Sequence, residues 1–383
     1  MFAAALSQHP VPAQAAGHVA GELIERIGPS PDLVTVFVTA PLAGALDDIA
    51  AALWALLTPV AMVGAAASAV LADDRGVEDG PAVVAWAGRL GAPAESVRLS
   101  VASDSGDTVV TGLPSGAESA TLLLIADPFS FPVEPWLADL RSSHAGLRVV
   151  GGLASAANRA GANRLVVDGR VVTDGAVGVL LEPGPTPVVA QGCRPIGRPF
   201  TVTKSERNVV YELGGRPAMD RLMEIVDELP PEDRALAARG LHCGIVADEH
   251  QLDFERGDFL IRNVLGADRS VGAVAVGGEV EVGTTVQFQV RDPGTAGDDL
   301  RLLLARQAPV GAGGALVFTC TGRGSHMFGD PHHDAAVTSE ALGGAAVAGM
   351  FCAGELGPVA GRNALHGFTA SVAVFAGPAG PTP

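Results

Sequence analysis

The chain has 383 residues, 48% of them hydrophobic, with a mean hydropathy of +0.32 and a formal charge of −17. That is apolar material for two or three domains with large buried cores. The acidic balance, with Lys204 the single lysine, excludes a general nucleic-acid binder, which needs cations to neutralise phosphates.

The N-terminus, Met1 to Leu6, is apolar but has no Lys or Arg before it, so no export signal is expected, and residues 1–27 are expected to begin as a loosely held tail. Leu33 to Thr39 reads as a β-branched strand, followed by a helix whose Leu46, Ile49, Leu53, Leu56 and Leu57 recur at helical spacing. Ile49 to Ala72 carries no charge and is long enough to cross a bilayer, yet Pro59 breaks it and no basic residues flank it. A helix ending near Leu57 and a buried strand starting near Ala61 fit better, and no membrane association is expected.

Four stretches then read as one repeated module of two strands rich in small residues. They are Val63–Ser68 with Ala82–Ala85, Val150–Ser155 with Gly175–Val179, Val271–Val276 with Val286–Phe288, and Gly349–Gly354 with Thr369–Val374. Small side chains let a backbone or a ligand come close, and a repeated scaffold places function in what differs between copies. Between the first two pairs lie a strand, Thr121 to Ala126, and a helix from about Glu134 to Ser143 carrying Trp136, Leu137 and Leu140.

A linker is expected over Gln191 to Tyr211, then a charged helix from Met219 to Leu229 stopped by Pro230-Pro231, and a second short helix through Ala238. Strands follow at Leu241–Ala247 and Phe259–Val264. Within the third pair Val286, Phe288 and Val290 alternate with Gln287, Gln289 and Arg291, the pattern of a strand with one wet face. Thr295 and Asp298 are placed as a capping box ahead of Leu300, Leu303 and Leu304. Ala315 to Thr321 reads as a strand, the Gly- and His-rich stretch after it as a loop, and Thr338 to Leu342 as a short helix. The tail from Gly377 to Pro383 is too rich in Pro and Gly for regular structure.

The fold class this order implies is α/β with mixed α+β sheets. Two related halves, 28–203 and 204–377, are built from repeated β-α-β-β units, their sheets covered by helices in a layered sandwich.

Four cysteines, Cys193, Cys243, Cys320 and Cys352, stand far apart with no Cys-x-x-Cys pair. Neither a zinc ribbon nor a disulfide framework is indicated, and free thiols in a reducing cytoplasm are the simplest reading. Gly151 to Arg159 has neither the Gly-x-Gly-x-x-Gly order nor the Walker ending, so close packing explains it better than nucleotide binding.

The most distinctive text is Phe318-Thr319-Cys320-Thr321-Gly322-Arg323-Gly324, Met350 to Pro358 and Asn363 to Thr369. With Gln191 to Gly197, Gly257 to Arg262 and Val290-Arg291-Asp292 upstream, these resemble the FIST family, the F-box and intracellular signal transduction proteins, from about Asp32 to Phe375. The resemblance implies a sensory module that binds small molecules such as amino acids. It also implies that some members resemble haem-containing nitric-oxide sensors and that eukaryotic ones recruit proteins for ubiquitination. No F-box, kinase, cyclase or receiver sequence is present, so output would pass through a signalling partner.

Among single residues, Arg323 between Gly322 and Gly324 can grip a carboxylate or phosphate with two parallel hydrogen bonds, or can close a turn on a buried carboxylate such as Glu355; both readings stand. Glu355 and His366 frame a turn whose unusual backbone falls to Gly357, Pro358, Gly361 and Asn363. Glu355 or Asn363 would bind a ligand amine. Arg291 joins this candidate ligand-binding set, as does Cys320.

An enzyme would use Cys320 or Cys352 as nucleophile with His366 as base, though core packing is the simpler role for both thiols and turn-holding for His366. His326, Asp330, His332, His333 and Asp334 share one loop. They match no metal motif, while three histidines leave a haem axial ligand open. The expected function is therefore a cytoplasmic sensor of a small anionic or zwitterionic metabolite, without metal, with haem gas sensing, a Cys-dependent enzyme and a docking scaffold as alternatives.

Overall fold

The computed structural model describes residues 1–104, 107–250, 254 and 257–377. The tail expected to be irregular lies outside the described residues from 378 on. The chain is a mixed α/β protein with several mixed sheets and two compact units. The units are drawn along other lines than a cut at 203/204. One comprises Met1–Val189, Leu300–Pro358 and the chain from Asn363 on; the other is Ala190–Asp299 with Val359–Arg362.

Three of the four repeats build the first unit, and they share one topology. In each, a central strand runs into a helix and then a parallel strand on one side, while a later strand pairs antiparallel on the other side. The central strands are Leu33–Thr39, Thr121–Ala126 and Ala312–Cys320. Their parallel neighbours are Ala61–Ala67, Arg148–Leu153 and Ala346–Cys352. Their antiparallel neighbours are Val83–Gly88, Ala176–Leu181 and Ala370–Ala376. The two small-residue strands of a pair therefore flank a third strand and do not pair with each other.

Glycine is required at the same place in all three. A Cβ on Gly64, Gly151 or Gly349 would fall 1.9 Å from the carbonyl oxygen of its register partner, Val36, Leu124 or Val317. Any side chain there would push apart the parallel strands on which each repeat rests.

The apolar stretch after Leu33–Thr39 turns one face into the protein. Residues 40–57 are long and apolar enough to cross a membrane, but they form a 3-10 turn, Ala40–Ala45, and a helix, Leu46–Leu57, that buries Leu46, Ile49, Ala50, Leu53 and Leu57. Each large aliphatic side chain so buried is worth about 2 kcal/mol. Thr58 in the left-handed conformation ends the helix before strand Ala61–Ala67 begins. Leu56, counted with the apolar stripe, is exposed.

The expected loose N-terminal tail is ordered. Phe2–Ser7 pairs with Val83–Gly88, and Pro12–Ile27 is a helix burying Ala15, Val19, Leu23 and Ile27. A strand of Ala-Ala-Ala carries little propensity of its own; the waiting sheet edge decides it.

The last repeat is joined to the first two by backbone pairing. Ala346–Cys352 pairs with Val70–Ala72, and Gly151 and Gly152 pair with Leu356 and Glu355. Phe37, Ile125, Val150, Phe318 and Met350, one or more from each repeat, share a single core.

The second unit is built differently. Strands Thr285–Arg291, Phe200–Glu206, Val209–Leu213, Ala273–Val276, Phe259–Asp268 and Leu241–Val246 pair in that order, and the last pairs back to the first, closing a ring. Cys193–Pro195 adds to Thr285–Arg291 outside the ring. The stretch 191–211 expected as a linker is thus three strands. The third small-residue pair is likewise not a copy of the others: Ala273–Val276 and Thr285–Arg291 are separate ring members with no β-α-β unit between them.

Helices Ala218–Glu228 and Pro231–Arg239 pack on the ring's apolar cluster, which holds Phe200, Val210, Leu222, Ile225, Val286, Phe288 and Val290. Helix Pro293–Gln307 starts ahead of the expected capping box, and Thr295 Oγ1 donates to Asp292 Oδ2 at 2.6 Å.

Candidate functional site

Ala312–Cys320 ends at the motif loop, and the loop is less open than its glycines suggest. The Arg323 amide donates to the Cys320 carbonyl at 2.9 Å, closing a tight turn, and helix Gly324–Phe328 follows at once. The supposed loop beyond it continues into helix His333–Ala341. The Arg323 side chain is fully buried and bound two-pronged to Asp334, Nε to Oδ2 at 2.7 Å and Nη2 to Oδ1 at 2.8 Å. Thr319 Oγ1 also donates to Asp334 Oδ2, and His333 Nδ1 lies 3.0 Å from Oδ1.

Burial opposes the charge on both partners. Their mutual attraction more than offsets it, leaving Asp334 well below the usual carboxylate range and Arg323 above its ordinary value. Of the two readings of Arg323, the geometry matches the structural one, with Asp334 and not Glu355 as partner. A guanidinium committed to a buried carboxylate is not free to take a ligand carboxylate.

Glu355 begins the strand Glu355–Val359 and is completely buried. Its Oε2 accepts the Thr369 amide at 3.1 Å, while Oε1 has no hydrogen-bond partner. The Cys320 thiol interacts with the same carboxyl more loosely than a regular hydrogen bond. Burial holds Glu355 well above the ordinary glutamate range and so favours its neutral acid form, and Thr369, Cys320 and Arg323 do not overcome that. Burial likewise pushes the Cys320 thiol up to about 12, with Glu355 adding to it and the amides of Gly322 and Phe368 opposing. Cys352, buried against Gly152, is raised too. Neither thiol is ionised as a nucleophile requires.

The remaining expected residues have identifiable work. Gly322 lies beneath the Phe368 ring, where a Cβ would be 2.2 Å from a ring carbon, and Phe368 itself has a left-handed backbone, φ 61°, rare for a bulky residue. Gly324 has φ 58° and faces Glu78 Oε1, which a Cβ would approach to 2.1 Å. His366 is bonded through Nε2 to the Gly357 carbonyl at 2.9 Å, holding the hairpin. Asn363 continues the ladder of strand Arg148–Leu153: its Oδ1 accepts the Val149 amide at 2.9 Å and its Nδ2 donates to Leu147 O at 2.7 Å. That amide is spent and does not serve a ligand amine. Arg291 belongs to the other compact unit.

The structure therefore gathers Cys320, Gly322, Arg323, Gly324 and Glu355, and adds Thr319, Asp334, Phe368 and Thr369. Asp334 carried a sequence signal only as one acid in a His-rich run. The histidines of that run are not gathered around a common point. His332 Nδ1 accepts the Gly76 amide at 3.1 Å, and the His333 ring stacks on Phe328 at 3.5 Å. Among the described residues no group of three or more His, Cys, Asp or Glu is arranged to hold a metal.

Beside the motif loop lies a small cavity the sequence did not announce. It measures about 210 Å³ and is lined by Gln8, Arg75, Glu78, Asp79, Ser325 and His332, among others. Two segments far apart in the chain make it. Gly76 lies so close to Pro331 that a Cβ would come within 1.9 Å of that carbonyl, and Glu78 Oε1 accepts the Ser325 amide at 2.8 Å. Arg75 is exposed and donates to Gln8 Oε1 at 3.1 Å.

The motif loop, its buried Arg–Asp pair and the buried Glu355 all fall in stretches that compare directly with known proteins. The FIST N domain matches residues 32–216 and the FIST C domain matches 218–358. The chain belongs to the FIST family. It is 45% identical over 369 residues to the "Uncharacterized protein Mb0898c" of Mycobacterium bovis, covering 94% of this chain and 95% of that one. The "Uncharacterized protein MT0656" of Mycobacterium tuberculosis is also 45% identical over 369 residues, covering 95% of each. FIST domains are generally sensory, signal-transducing domains. The boundary between the two FIST matches falls near 217, inside the second compact unit.

Proposed function

We propose that this FIST protein is a binding module and not an enzyme: it holds a small zwitterionic or anionic metabolite of amino-acid size and passes its occupancy to a partner protein. The observation that carries this is the cavity of about 210 Å³ whose lining combines the Arg75 guanidinium with the carboxylates Glu78 and Asp79. It is smaller than the roughly 300–1,000 Å³ of sites for drug-sized ligands. Arg75 takes the ligand carboxylate, the role expected of Arg323, and Glu78 or Asp79 takes the ammonium.

Glu78 gives the signal a route. The same carboxylate accepts the Ser325 amide, so a ligand that competes for it acts on the motif loop and on the buried Arg323–Asp334 pair behind it. The neutral Cys320 thiol supports binding over catalysis. The location is taken to be the cytoplasm, consistent with four free cysteines.

Thermal-shift measurement against amino acids and small carboxylic acids tests the assignment. Stabilising ligands are expected to lose their effect in Arg75→Ala and to be weakened in Glu78→Gln. If Arg75→Ala keeps every shift seen with the unaltered protein, the cavity is not the site.

A further inference from the structure

The strand Thr285–Arg291 alternates as expected, but its polar face is not wet. Val286, Phe288 and Val290 enter the apolar cluster of the ring, while Gln287 and Gln289 on the opposite face are only 9% and 2% exposed. Across the register, Gln289 stands opposite His242 and Pro195, Gln287 opposite Gly244, and Arg291 opposite Cys193. His242 and Gln191 are buried as well.

A buried amide normally has its donors and acceptor filled, because each unfilled group costs its full desolvation. Two amides here do not. Gln289 Nε2 is buried with no hydrogen-bond partner, and Gln191 Oε1 is buried with none. The orientation of Gln191 is not ambiguous, since its Nε2 donates to the Phe259 carbonyl at 2.6 Å and only a donor can occupy that position.

Both groups border one small apolar patch. Cys193, Val246, Phe259 and Ile261 form a cluster separate from the main core of this unit, with Phe254 against it. The Gly244 Cβ position lies 2.2 Å from Gln289 Nε2 and 3.0 Å from the Phe259 ring, so the absence of a side chain there is what lets the amide lie beside the aromatic face. His242 is held neutral, with burial and then Arg291 lowering it to about 4. Its Nε2 meets Arg291 Nη2 as an acceptor.

We propose that this face is a second ligand site, for a neutral carboxamide carried on a flat apolar body. The unfilled groups are one neutral donor and one neutral acceptor, the complement of an amide C=O and N–H, and the apolar patch with Phe259 receives the body. An acid in place of the amide offers Gln191 Oε1 no donor when ionised. The site does not depend on the metabolite cavity and takes a different chemical class.

Titration calorimetry of the full chain with nicotinamide and benzamide, with nicotinate and benzoate as acid controls, tests this. The amides are expected to bind and the acids to bind at least tenfold more weakly, about the effect of one lost hydrogen bond to a buried group. Gln289→Leu removes the unfilled donor while keeping bulk. It is expected to weaken the amides about tenfold and to raise the urea midpoint of the free protein, whereas Arg75→Ala leaves amide binding unchanged. Equal binding of amide and acid, or of amide by Gln289→Leu, overturns the proposal. So does a lower urea midpoint for Gln289→Leu, which would mean the amide is satisfied, or no amide binding at millimolar concentration.

Discussion

The second and the last repeats end their central strands with the same problem, a buried carboxylate, and solve it in opposite ways. After Thr121–Ala126, Asp127 is fully buried, with Oδ2 accepting Ser130 Oγ at 2.6 Å and Oδ1 accepting Asn163 Nδ2 at 2.9 Å. Neutral donors fill it and nothing is left over. After Ala312–Cys320 the chain instead buries a full ion pair, Arg323–Asp334, and near it an acid, Glu355, with one oxygen unfilled. Identical scaffolds thus separate a settled polar end from a strained, high-stakes one. Buried charge pairs and unfilled acids are poor devices for stability, and the last repeat carries one of each.

The largest effect expected from breaking this contrast is at the ion pair. Arg323→Ala or Asp334→Asn should cost about 3–5 kcal/mol in urea unfolding, since each strands a buried charge. Arg323→Lys should recover only part of it, because one ammonium cannot reproduce two parallel bonds. Asp334 also sets an acid limit. Its folded-state value lies below its unfolded one, so its contribution is complete above about pH 4 and is lost as pH falls further.

Next comes the shared scaffold. Gly349→Ala should cost about 1–3 kcal/mol or more, and Gly64→Ala and Gly151→Ala similar amounts, because all three place a methyl on a partner carbonyl. An unequal series, with one of the three tolerated, would break the equivalence of the repeats.

A smaller effect, of opposite sign, belongs to Glu355. Its raised folded-state value means stability is greatest below about pH 4.5 and falls as pH rises through that value. Glu355→Gln removes the dependence, so the variant should gain on the unaltered protein as pH rises above about 5 in urea unfolding. The smallest expected signal is chemical: iodoacetamide should label Cys320 and Cys352 slowly in the folded protein at pH 7, and fast, stoichiometric labelling of either would revive a nucleophilic role.

Much of this architecture was legible. Period and breakers located Leu46–Leu57, the strand after it and the helix with Trp136, Leu137 and Leu140, because those signals are local. The glycine-rich strands revealed the repeat, since glycine 64, 151 and 349 answer one steric demand. The Ala-rich strand Phe2–Ser7 and the strands within 191–211 were missed, because short segments without strong propensity are settled by the edge they find. Alternation in Thr285–Arg291 placed the glutamines on one face correctly but could not tell a polar face in water from one buried.

By itself the sequence determined the α/β class, the family and the repeated module, all properties of pattern along the chain. Which carboxylate Arg323 holds, that Asn363 mends a strand edge, and that Arg75 and Ser325 line one cavity were decided only by tertiary structure. Those pairings join residues from 11 to about 250 positions apart, and local propensity carries no information about which distant partner will satisfy a buried polar group.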